Sequence, residues 1–265
     1  MQLIDIGANI GHESFAEDFD DMLARAAQVG VTRMVVTGSD AHSNADAIAL
    51  AQTYPGQLFA TAGLHPHHAS DWNDGLAAAI GQASRDQQIV AIGETGLDYF
   101  RDISPRGAQQ QAFAAQLAIA AEYGLPVFLH QRDAHADFLA ILREHLPDIP
   151  AAVVHCFTDT SAALDDYLTL GCHIGITGWI CDERRGEDLY QAVSEIPDNR
   201  LMIETDSPYL MPRTIRPKPK TRRNEPCNLP YILASVAAAR SQSPAAVAQY
   251  TTRNAEHFFN LPAGC

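Results

Sequence analysis

The chain has 265 residues, of which 46% are hydrophobic and 19% are charged, and its formal net charge at pH 7 is −14. This balance excludes a disordered chain, and the length allows one large α/β domain or two small ones. No apolar run approaches the roughly 18 residues of a membrane span. We therefore expect a globular protein with no membrane partner, whose acidic surface repels polyanions except where basic residues cluster.

The amino terminus and the cysteines indicate a reducing compartment. Residues 1–15 have no basic start and no sustained apolar stretch, so we expect no signal peptide. The five cysteines are scattered and never spaced as CxxC; they are Cys156, Cys172, Cys181, Cys227 and Cys265. This pattern favours reduced thiols over a disulfide frame or a zinc knuckle, and it predicts a cytoplasmic protein.

Eight apolar or β-branched runs follow one another along the chain, each followed by a helical pattern. In chain order they cover residues 3–9, 33–39, 58–65, 89–95, 126–132, 151–157, 172–178 and 201–207. Between them lie alanine-rich amphipathic stretches, such as residues 20–30 and 107–125, and several of these end at a glycine. This strict alternation implies parallel strands joined by crossover helices.

Eight strand–helix units in about 250 residues is the usual size of a TIM barrel. We therefore predict an α/β protein with the (β/α)8 TIM-barrel fold, forming a single domain over residues 1–265. The alternative is a doubly wound open sheet, which usually carries a glycine fingerprint after its first strand. The segment DIGANIG lacks the third glycine spacing and the distal acidic residue of that fingerprint, so the barrel is favoured.

The residues at the predicted strand ends are rich in metal-binding groups. In a barrel the carboxyl ends of all strands meet on one face, so the last inward side chain of each strand marks that face. In chain order these side chains are Asn9 (with Asp5 and Gly7 in phase), His65, Glu94, His130, His155, Glu204 and Asp206. Carboxylates crowded together repel one another unless a cation or a proton lies among them. Because imidazoles and carboxylates are also ligands of divalent ions, the pattern predicts a metal site.

Each of these residues taken alone has an ordinary structural explanation. A histidine that ends a strand is more often a hydrogen-bonded structural residue than a ligand. Glu94 could cap the next segment, and Asp206 could open a turn. Since all these explanations would have to hold independently, the metal site is favoured. We expect Cys156 to be an inert, buried thiol facing the helix layer, and the histidines at 67–68 to be loop residues.

A basic, proline-rich segment follows the eighth predicted strand. Residues 213–223 hold six of the 18 basic residues of the chain and no acidic one. A solvated loop is the ordinary explanation of such a run. In a barrel, however, this segment would lie on the catalytic face, where its cations could steer a polyanion. Aromatic residues near the strand ends could then stack unpaired bases; the candidates are Tyr99, Phe100, Phe157, Trp179 and Tyr209. Core packing is the ordinary explanation of each, and it is favoured for Phe157.

Several motifs together resemble the TatD family of metal-dependent hydrolases. In chain order they are AGLHPH, GETGLDYF, FLHQRDA, VVHCFT, GITGW, IETDSPYL and RRNEP. They run through nearly the whole chain, and GITGWICDERRG is most similar to the 3′-5′ exonucleases of that family. The resemblance implies a TIM barrel of the metal-dependent amidohydrolase type. It also implies an exonuclease that hydrolyses phosphodiester bonds of single-stranded DNA and RNA to 5′-phosphomonoesters, with a role in DNA repair.

The resemblance also implies the ligands of the metal. By motif match they are Glu94, His130, His155 and Asp206. The first strand departs from the family pattern, because Gly7 and Asn9 stand where most relatives have the histidines of an Asp-x-His-x-His motif. This departure predicts one firmly bound ion and a second that binds weakly or only with substrate. The resemblance implies Mg²⁺, with Mn²⁺, Zn²⁺ or Co²⁺ as alternatives because histidine ligands suit them better.

The predicted mechanism is phosphodiester hydrolysis by metal-activated water. Asp206 and Glu94 are the predicted catalytic residues, with Asp206 as the general base that orients or deprotonates the water. The predicted contacts with substrate come from His65, Arg132, Arg222 and Arg223. We expect a monomer. Two alternatives remain open, namely amide hydrolysis by a deacylase on the same barrel and a non-catalytic scaffold whose metal site has decayed.

Overall fold

The structure is a computed structural model that describes residues 2–263, so Cys265 lies outside the described residues. Its strands are β1 Leu3–Ala8, β2 Val31–Val36, β3 Leu58–Ala62, β4 Ala91–Asp98, β5 Val127–Arg132, β6 Ala152–Val154, β7 His173–Ile176 and β8 Leu201–Ile203. Each of them lies within or overlaps one of the eight apolar runs. The eight predicted strands are therefore confirmed, with differences of a few residues at their ends.

The described residues form nine α-helices, seven of which lie between successive strands. They are α1 Phe19–Gln28, α2 Ala41–Thr53, α3 Asp74–Arg85, α4 Arg106–Tyr123, α5 His135–His145, α6 Ser161–Thr169, α7 Glu187–Ala192, α8 Leu229–Ala239 and α9 Pro244–Phe258. Helix α4 coincides with the predicted alanine-rich helix, and it ends where Gly124 adopts the left-handed conformation with φ 64°. Helix α2 is capped by Asp40, whose side chain accepts hydrogen bonds from the backbone N–H groups of His42 and Ser43.

The eight strands are hydrogen-bonded to one another in chain order, from β1 to β8. The pairs with a defined register, such as β1 with β2 and β4 with β5, run parallel. A doubly wound sheet would instead reverse its strand order at a switch point. The strand order and the intervening helices thus identify the predicted (β/α)8 TIM-barrel fold. Within the described residues, no helix is both long enough and apolar enough to traverse a bilayer.

The described residues group into two compact units. The first takes in the chain as far as Val36, then Cys156–Leu164, and then the chain from Ile174 onward; the second takes in Thr37–His155 and Asp165–His173. In the first unit every residue of β1 is buried. In the second unit Phe113 of α4 and Phe138 of α5 stack with their ring centroids 5.1 Å apart. The single domain over residues 1–265 stays a prediction.

Three strand ends bear on the predicted site. Strand β6 ends at Val154 and β8 ends at Ile203, so His155 and Asp206 lie just beyond their strands. Strand β4, by contrast, continues to Asp98, past the end of the predicted run 89–95. Side chains two and four residues apart on a strand point to the same side. The longer β4 therefore adds a second carboxylate to the face that carries Glu94.

Candidate metal centre

Glu94 lies at the centre of a cluster of histidines in the second unit. Its Oε1 atom is 2.8 Å from Nε2 of His155, 2.9 Å from Nδ1 of His130 and 3.4 Å from Nε2 of His65. Glu94 is only 7% exposed, so imidazoles rather than water surround its carboxylate. The structure thus brings together four predicted site residues that come from four different segments of the chain.

Glycines allow the strands that carry this cluster to approach one another closely. Gly96 of β4 is paired with His130 of β5 and has φ 149°, a conformation that favours glycine. A Cβ atom at this position would collide with the backbone carbonyl of His130. A Cβ atom at Gly63, which follows β3, would likewise collide with the backbone of Gly93. The spacing of these segments, and with it the meeting of imidazoles and carboxylate, depends on glycine at both places.

A second carboxylate, that of Asp98, contacts the other nitrogen of His130. Its Oδ2 atom is 3.4 Å from Nε2 of His130 and 2.9 Å from Nε2 of His67. Its Oδ1 atom accepts a hydrogen bond of 2.8 Å from the backbone N–H of Arg101. The ring of His130 is therefore held between Glu94 and Asp98. A carboxylate behind a metal-binding histidine fixes both the orientation and the tautomer of the ring.

Burial and neighbouring charges act in opposite directions on this cluster. Burial alone would raise the pKa of Glu94, but the imidazoles of His155 and His65 bring this pKa well below its usual value. Burial also opposes ionisation of Asp98, while hydrogen bonds, first from His130, hold its pKa below the usual range. Burial lowers the pKa of His65 to about 4. The carboxylates are thus ionised and the imidazole of His65 is neutral, the forms that bind a metal. Burial opposes protonation of His130, but its hydrogen bonds with Asp98 and Glu94 outweigh this effect, so the pKa of His130 is raised.

The donor set fits a divalent metal ion. One ligand atom from each of His65, Glu94 and His130 lies within 4.8 Å of the others. The Nε2 atom of His155 is closer to Glu94 than that of His65 is. Imidazole nitrogens together with a carboxylate oxygen suit Mn²⁺, Co²⁺ or Zn²⁺. The group includes two of the predicted ligands and adds His65, for which we predicted a contact with substrate.

Asp206, the fourth predicted ligand, belongs to the first unit. It follows β8 in the left-handed conformation, with φ 54°. Its Oδ1 atom accepts a hydrogen bond of 3.0 Å from the side-chain amide of Asn9. The residue that stands in place of a first-strand histidine therefore orients the aspartate. That Asp206 binds the same ion as Glu94 stays a prediction.

Two further carboxylates of the first unit are completely buried. Asp5 accepts hydrogen bonds from the backbone N–H of Thr205 at 2.9 Å and from its hydroxyl at 2.5 Å. Glu204 accepts one from the backbone N–H of Cys156 at 2.6 Å. Burial raises the pKa of Asp5 to about 7, although the hydrogen bonds from Thr205 oppose this shift. Asp5 therefore holds its proton over most of the acidic range.

The predicted substrate-binding arginines differ in their surroundings. Arg222 is exposed. Arg223 instead forms ion pairs of 2.7 Å with Asp18 and with Glu225, and Arg25 joins the same two carboxylates. Arg223 thus fastens the end of the basic segment to the start of α1. Arg132 ends β5 in the second unit. The contacts of all three predicted arginines with nucleic acid stay predictions.

Asp98 and His67 are the members of the cluster that sequence reasoning missed. Asp98 stands four residues after Glu94, a spacing that returns a strand side chain to the same face. Because the predicted strand ends at Thr95, Asp98 was not counted among the strand side chains of that face. His67 lies on a short 3₁₀ helix, Pro66–Asp71, and no hydrophobic periodicity in this segment predicts its contact with Asp98.

Two expectations about the segment after β6 have different outcomes. Phe157 is 2% exposed, so its predicted place in the core is confirmed. Cys156 is half-buried instead of buried, and its φ is 45°. The reason is that β6 ends at Val154, so strand alternation no longer decides the direction of this side chain.

Comparison with known proteins places the chain in a family. The family model described as TatD related DNase matches residues 4–260. The chain belongs to the TatD family. The "3′-5′ ssDNA/RNA exonuclease TatD" of Erwinia billingiae is 49% identical over 261 residues, which are 98% of this chain and 100% of the relative. A relative of the same name from Edwardsiella piscicida is 50% identical over 259 residues, again 98% and 100% of the two chains.

A solved structure agrees with these TatD relatives. The TatD homologue YJJV from Escherichia coli K12 has a TM-score of 0.89 and 30% identity, and the match covers 98% of each chain. The resemblance read from the motifs is confirmed, including the similarity to the TatD exonucleases.

Proposed function

We propose that this chain is a metal-dependent 3′-5′ exonuclease that hydrolyses single-stranded DNA and RNA to 5′-phosphomonoesters. The observation that carries the proposal is the buried carboxylate of Glu94 with three imidazoles around it. This donor set lies in a chain that is 49–50% identical to relatives named 3′-5′ ssDNA/RNA exonuclease TatD.

Glu94, His130 and His155 would hold the ion, and His65, 3.4 Å from Glu94, would either join them or contact the phosphate that the ion binds. When bound, a divalent ion would supply positive charge to offset that of a phosphoryl group and would lower the pKa of a water molecule. Asp98, whose Oδ2 atom is 3.4 Å from Nε2 of His130, would keep the proton on that nitrogen, and Nδ1, 2.9 Å from Glu94, would then be the nitrogen that binds the ion.

We assign proton transfer to Asp206. Its carboxylate accepts the proton of the attacking water as general base, and the amide of Asn9 keeps that carboxylate in one orientation. An amide, unlike an imidazole, brings no positive charge that would weaken the base.

We propose that the basic segment 213–223 binds the phosphate backbone of the nucleic acid. Lys218, Lys220 and Arg222 are exposed, whereas Arg223 anchors the segment through Asp18 and Glu225. Affinity should fall steeply as salt is added, because each cation that pairs with a phosphate releases a counterion. We further propose that His65 and Arg132 contact the substrate, His65 at the scissile phosphate and Arg132 at a phosphate farther along the strand.

The ligands favour Mn²⁺, Co²⁺ or Zn²⁺ over Mg²⁺, which prefers oxygen donors. We keep Mg²⁺ as a candidate on the family resemblance alone. With Gly7 and Asn9 on the first strand in place of two imidazoles, we propose one firmly bound ion and a second that binds weakly or with substrate. Titration calorimetry with each ion would count the sites and rank the metals.

The test uses single strands of DNA and RNA, labelled at the 5′ end and incubated with each metal. The proposal expects a ladder that shortens one nucleotide at a time from the 3′ end, and mononucleotides that carry a 5′-phosphate. His155→Ala should abolish the ladder, whereas His145→Ala, at the end of α5, should leave it unchanged. Intact strands with every metal would reject the nuclease, and turnover of acylated amides by the same sample would favour the deacylase.

The physiological setting is also proposed on resemblance. We place the protein in the cytoplasm, as a monomer that acts in DNA repair. Loss of the gene should then raise sensitivity to agents that damage DNA, and a copy carrying His155→Ala should fail to restore resistance. Equal sensitivity with and without the gene would contradict the proposed role in DNA repair but not the proposed nuclease activity.

A further inference from the structure

We propose that Phe100 is a stacking platform for one nucleobase of a bound single strand, with Arg101 and Arg132 contacting the adjoining phosphates. This inference rests on the proposed function and specifies which residues of the second unit recognise the nucleic acid. Phe100 is 54% exposed, an unusual fraction for so large an apolar ring. Neither the cluster of Glu94 nor the apolar core uses it.

The charges around this ring favour a polyanion over an apolar partner. The guanidinium carbon of Arg132 lies 4.1 Å from the ring centroid and that of Arg101 lies 5.9 Å from it. A cation over a ring is held by the negative face of the ring. An exposed ring with guanidinium groups beside it is the combination that binds unpaired bases and their phosphates.

The neighbouring cation at the start of α4, Arg106, has a different role. Arg106 lies 4.2 Å from the ring centroid of Tyr99 and forms an ion pair of 3.1 Å with Asp102. The hydroxyl of Tyr99 donates a hydrogen bond of 2.7 Å to Asp137. Tyr99 and Arg106 are thus committed to contacts within the protein. Phe100 is the aromatic ring of this loop that is turned to solvent.

The loop that carries Phe100 is held in place before any ligand arrives. The side chain of Gln109, 1% exposed, accepts from the backbone N–H of Asp98 and donates to the carbonyl of Ser104. The backbone N–H of Tyr99 donates to the carbonyl of Arg132 at 2.9 Å. A platform ordered in advance loses little conformational entropy when a base stacks on it.

One carboxylate joins the platform to the candidate metal centre. Asp98 accepts from the backbone N–H of Arg101 with one oxygen and contacts His130 and His67 with the other. Phe100 therefore stands at a fixed distance from the cluster that would hold the ion. A base stacked on it sets which phosphate of the strand reaches that ion.

The experiment measures binding of a 5′-fluorescein thymidine oligonucleotide to the full chain in a chelator, by fluorescence anisotropy, so that nothing is hydrolysed. Phe100→Ala should weaken binding by about 5- to 100-fold, the range known for base–aromatic stacking. Phe100→Leu should lose as much, and Phe100→Trp should bind at least as well as the wild type. Ile103→Ala, which removes the 63% exposed apolar side chain of the same loop, is the matched control and should bind normally.

A second set of oligonucleotides identifies the base. Each carries a single abasic residue at a different position from the 3′ end. The wild type should lose affinity with the gap at one position, and Phe100→Ala should be insensitive to that gap because the stacking partner is already missing. In metal-containing buffer, Phe100→Ala should raise KM and leave kcat nearly unchanged, as expected for lost uniform binding.

The platform would be rejected if the wild type degrades single strands while Phe100→Ala binds them equally and keeps the abasic penalty. Equal losses from Phe100→Ala and Ile103→Ala would also reject it, since they indicate a non-specific apolar surface. If the wild type binds these strands but does not degrade them, the proposed exonuclease activity is contradicted, whereas the proposed stacking of a base on Phe100 is not.

Discussion

Glu94 of β4 and Asp5 of β1 are both buried carboxylates, yet their surroundings shift their pKa values in opposite directions. Glu94 is 7% exposed and Asp5 is 0% exposed, so burial opposes ionisation at both. Three imidazoles surround Glu94 and bring its pKa well below the usual value. Asp5 has hydrogen bonds from a hydroxyl and from backbone N–H groups, which leave its pKa at about 7.

The comparison shows that the neighbours of a buried carboxylate, and not its depth, decide its charge. The imidazoles stabilise the ionised form of Glu94 electrostatically. Thr205 stabilises the ionised form of Asp5 only through hydrogen bonds from uncharged groups, which do not offset the cost of burial. Glu94 is thereby ready for a cation, and Asp5 is suited to a structural role as a hydrogen-bonded acid.

Glu94→Gln should have the largest effect. The amide keeps the shape of the side chain but removes the negative charge that the imidazoles and the ion share. We expect kcat for single-stranded DNA to fall on the order of 1,000-fold or more, and calorimetry should show weaker metal binding. Glu122→Gln, on the exposed side of α4, is the control. A Glu94→Gln enzyme with a normal rate would show that this carboxylate takes no part.

Asp5→Asn should change the pH dependence of stability. The folded-state pKa of about 7 lies above the usual 3.8, so the contribution of Asp5 is fully present below about pH 4 and is lost as pH rises towards 7. Relative to Asp5→Asn, the wild type should lose on the order of 3 kcal/mol of unfolding free energy between pH 4 and 8.

Urea unfolding of both proteins across this pH range gives the measurement. Asp165→Asn, at an exposed position of α6, should follow the wild type at every pH. Parallel curves for the wild type and Asp5→Asn would mean that Asp5 is ionised when folded, and the contrast with Glu94 would disappear.

Asp98→Asn should have a smaller effect than the loss of Glu94, because Asp98 acts through His130. Mutation of a carboxylate that hydrogen-bonds a metal-binding histidine typically lowers metal affinity or activity by about 10- to 100-fold. We expect a loss in this range in metal affinity, together with a shift of the His130 side-chain nitrogen resonances in NMR spectra. Asp102→Asn, in the same loop, should change neither. Unshifted resonances in Asp98→Asn would show that this carboxylate does not orient the ring.

Arg222→Ala and Arg223→Ala, at adjacent positions, should affect different properties. Arg222→Ala should weaken binding of single strands and reduce the slope of log affinity against log salt by about one, with unchanged stability. Arg223→Ala breaks the pairs with Asp18 and Glu225, and it should lower Tm by about 2–4 °C. Anisotropy and thermal unfolding separate the two; a reversed pattern would exchange their proposed roles.

The positions of the strands could be read from the sequence because each apolar run has both the right length and helical neighbours. The end of β4 could not, since threonine and glycine at 95–96 interrupt the apolar pattern although the backbone pairing with β5 continues to Asp98. Pairing is a property of the neighbouring strand, and local composition does not report it. This single error removed Asp98 from the predicted site.

The candidate site could be predicted to the extent that it depends on residue type and strand phase. Glu94, His130 and His155 were all indicated in this way, and they meet at one carboxylate oxygen. The role of His65 depends on distances of a few tenths of an ångström, which sequence does not contain. Arg223 was predicted to contact substrate because of its charge. Its ion pair with Asp18 could not be predicted, because Asp18 lies about 200 residues earlier in the chain.

The candidate metal centre depends on the absence of a Cβ atom at Gly96. His130 lies where it does because its carbonyl occupies the space that a methyl group at position 96 would fill. Alanine, the mildest replacement in most proteins, would therefore push a ligand away from its partners while leaving every donor in the sequence. A chemist who examined only the reactive side chains of such a variant would find nothing missing.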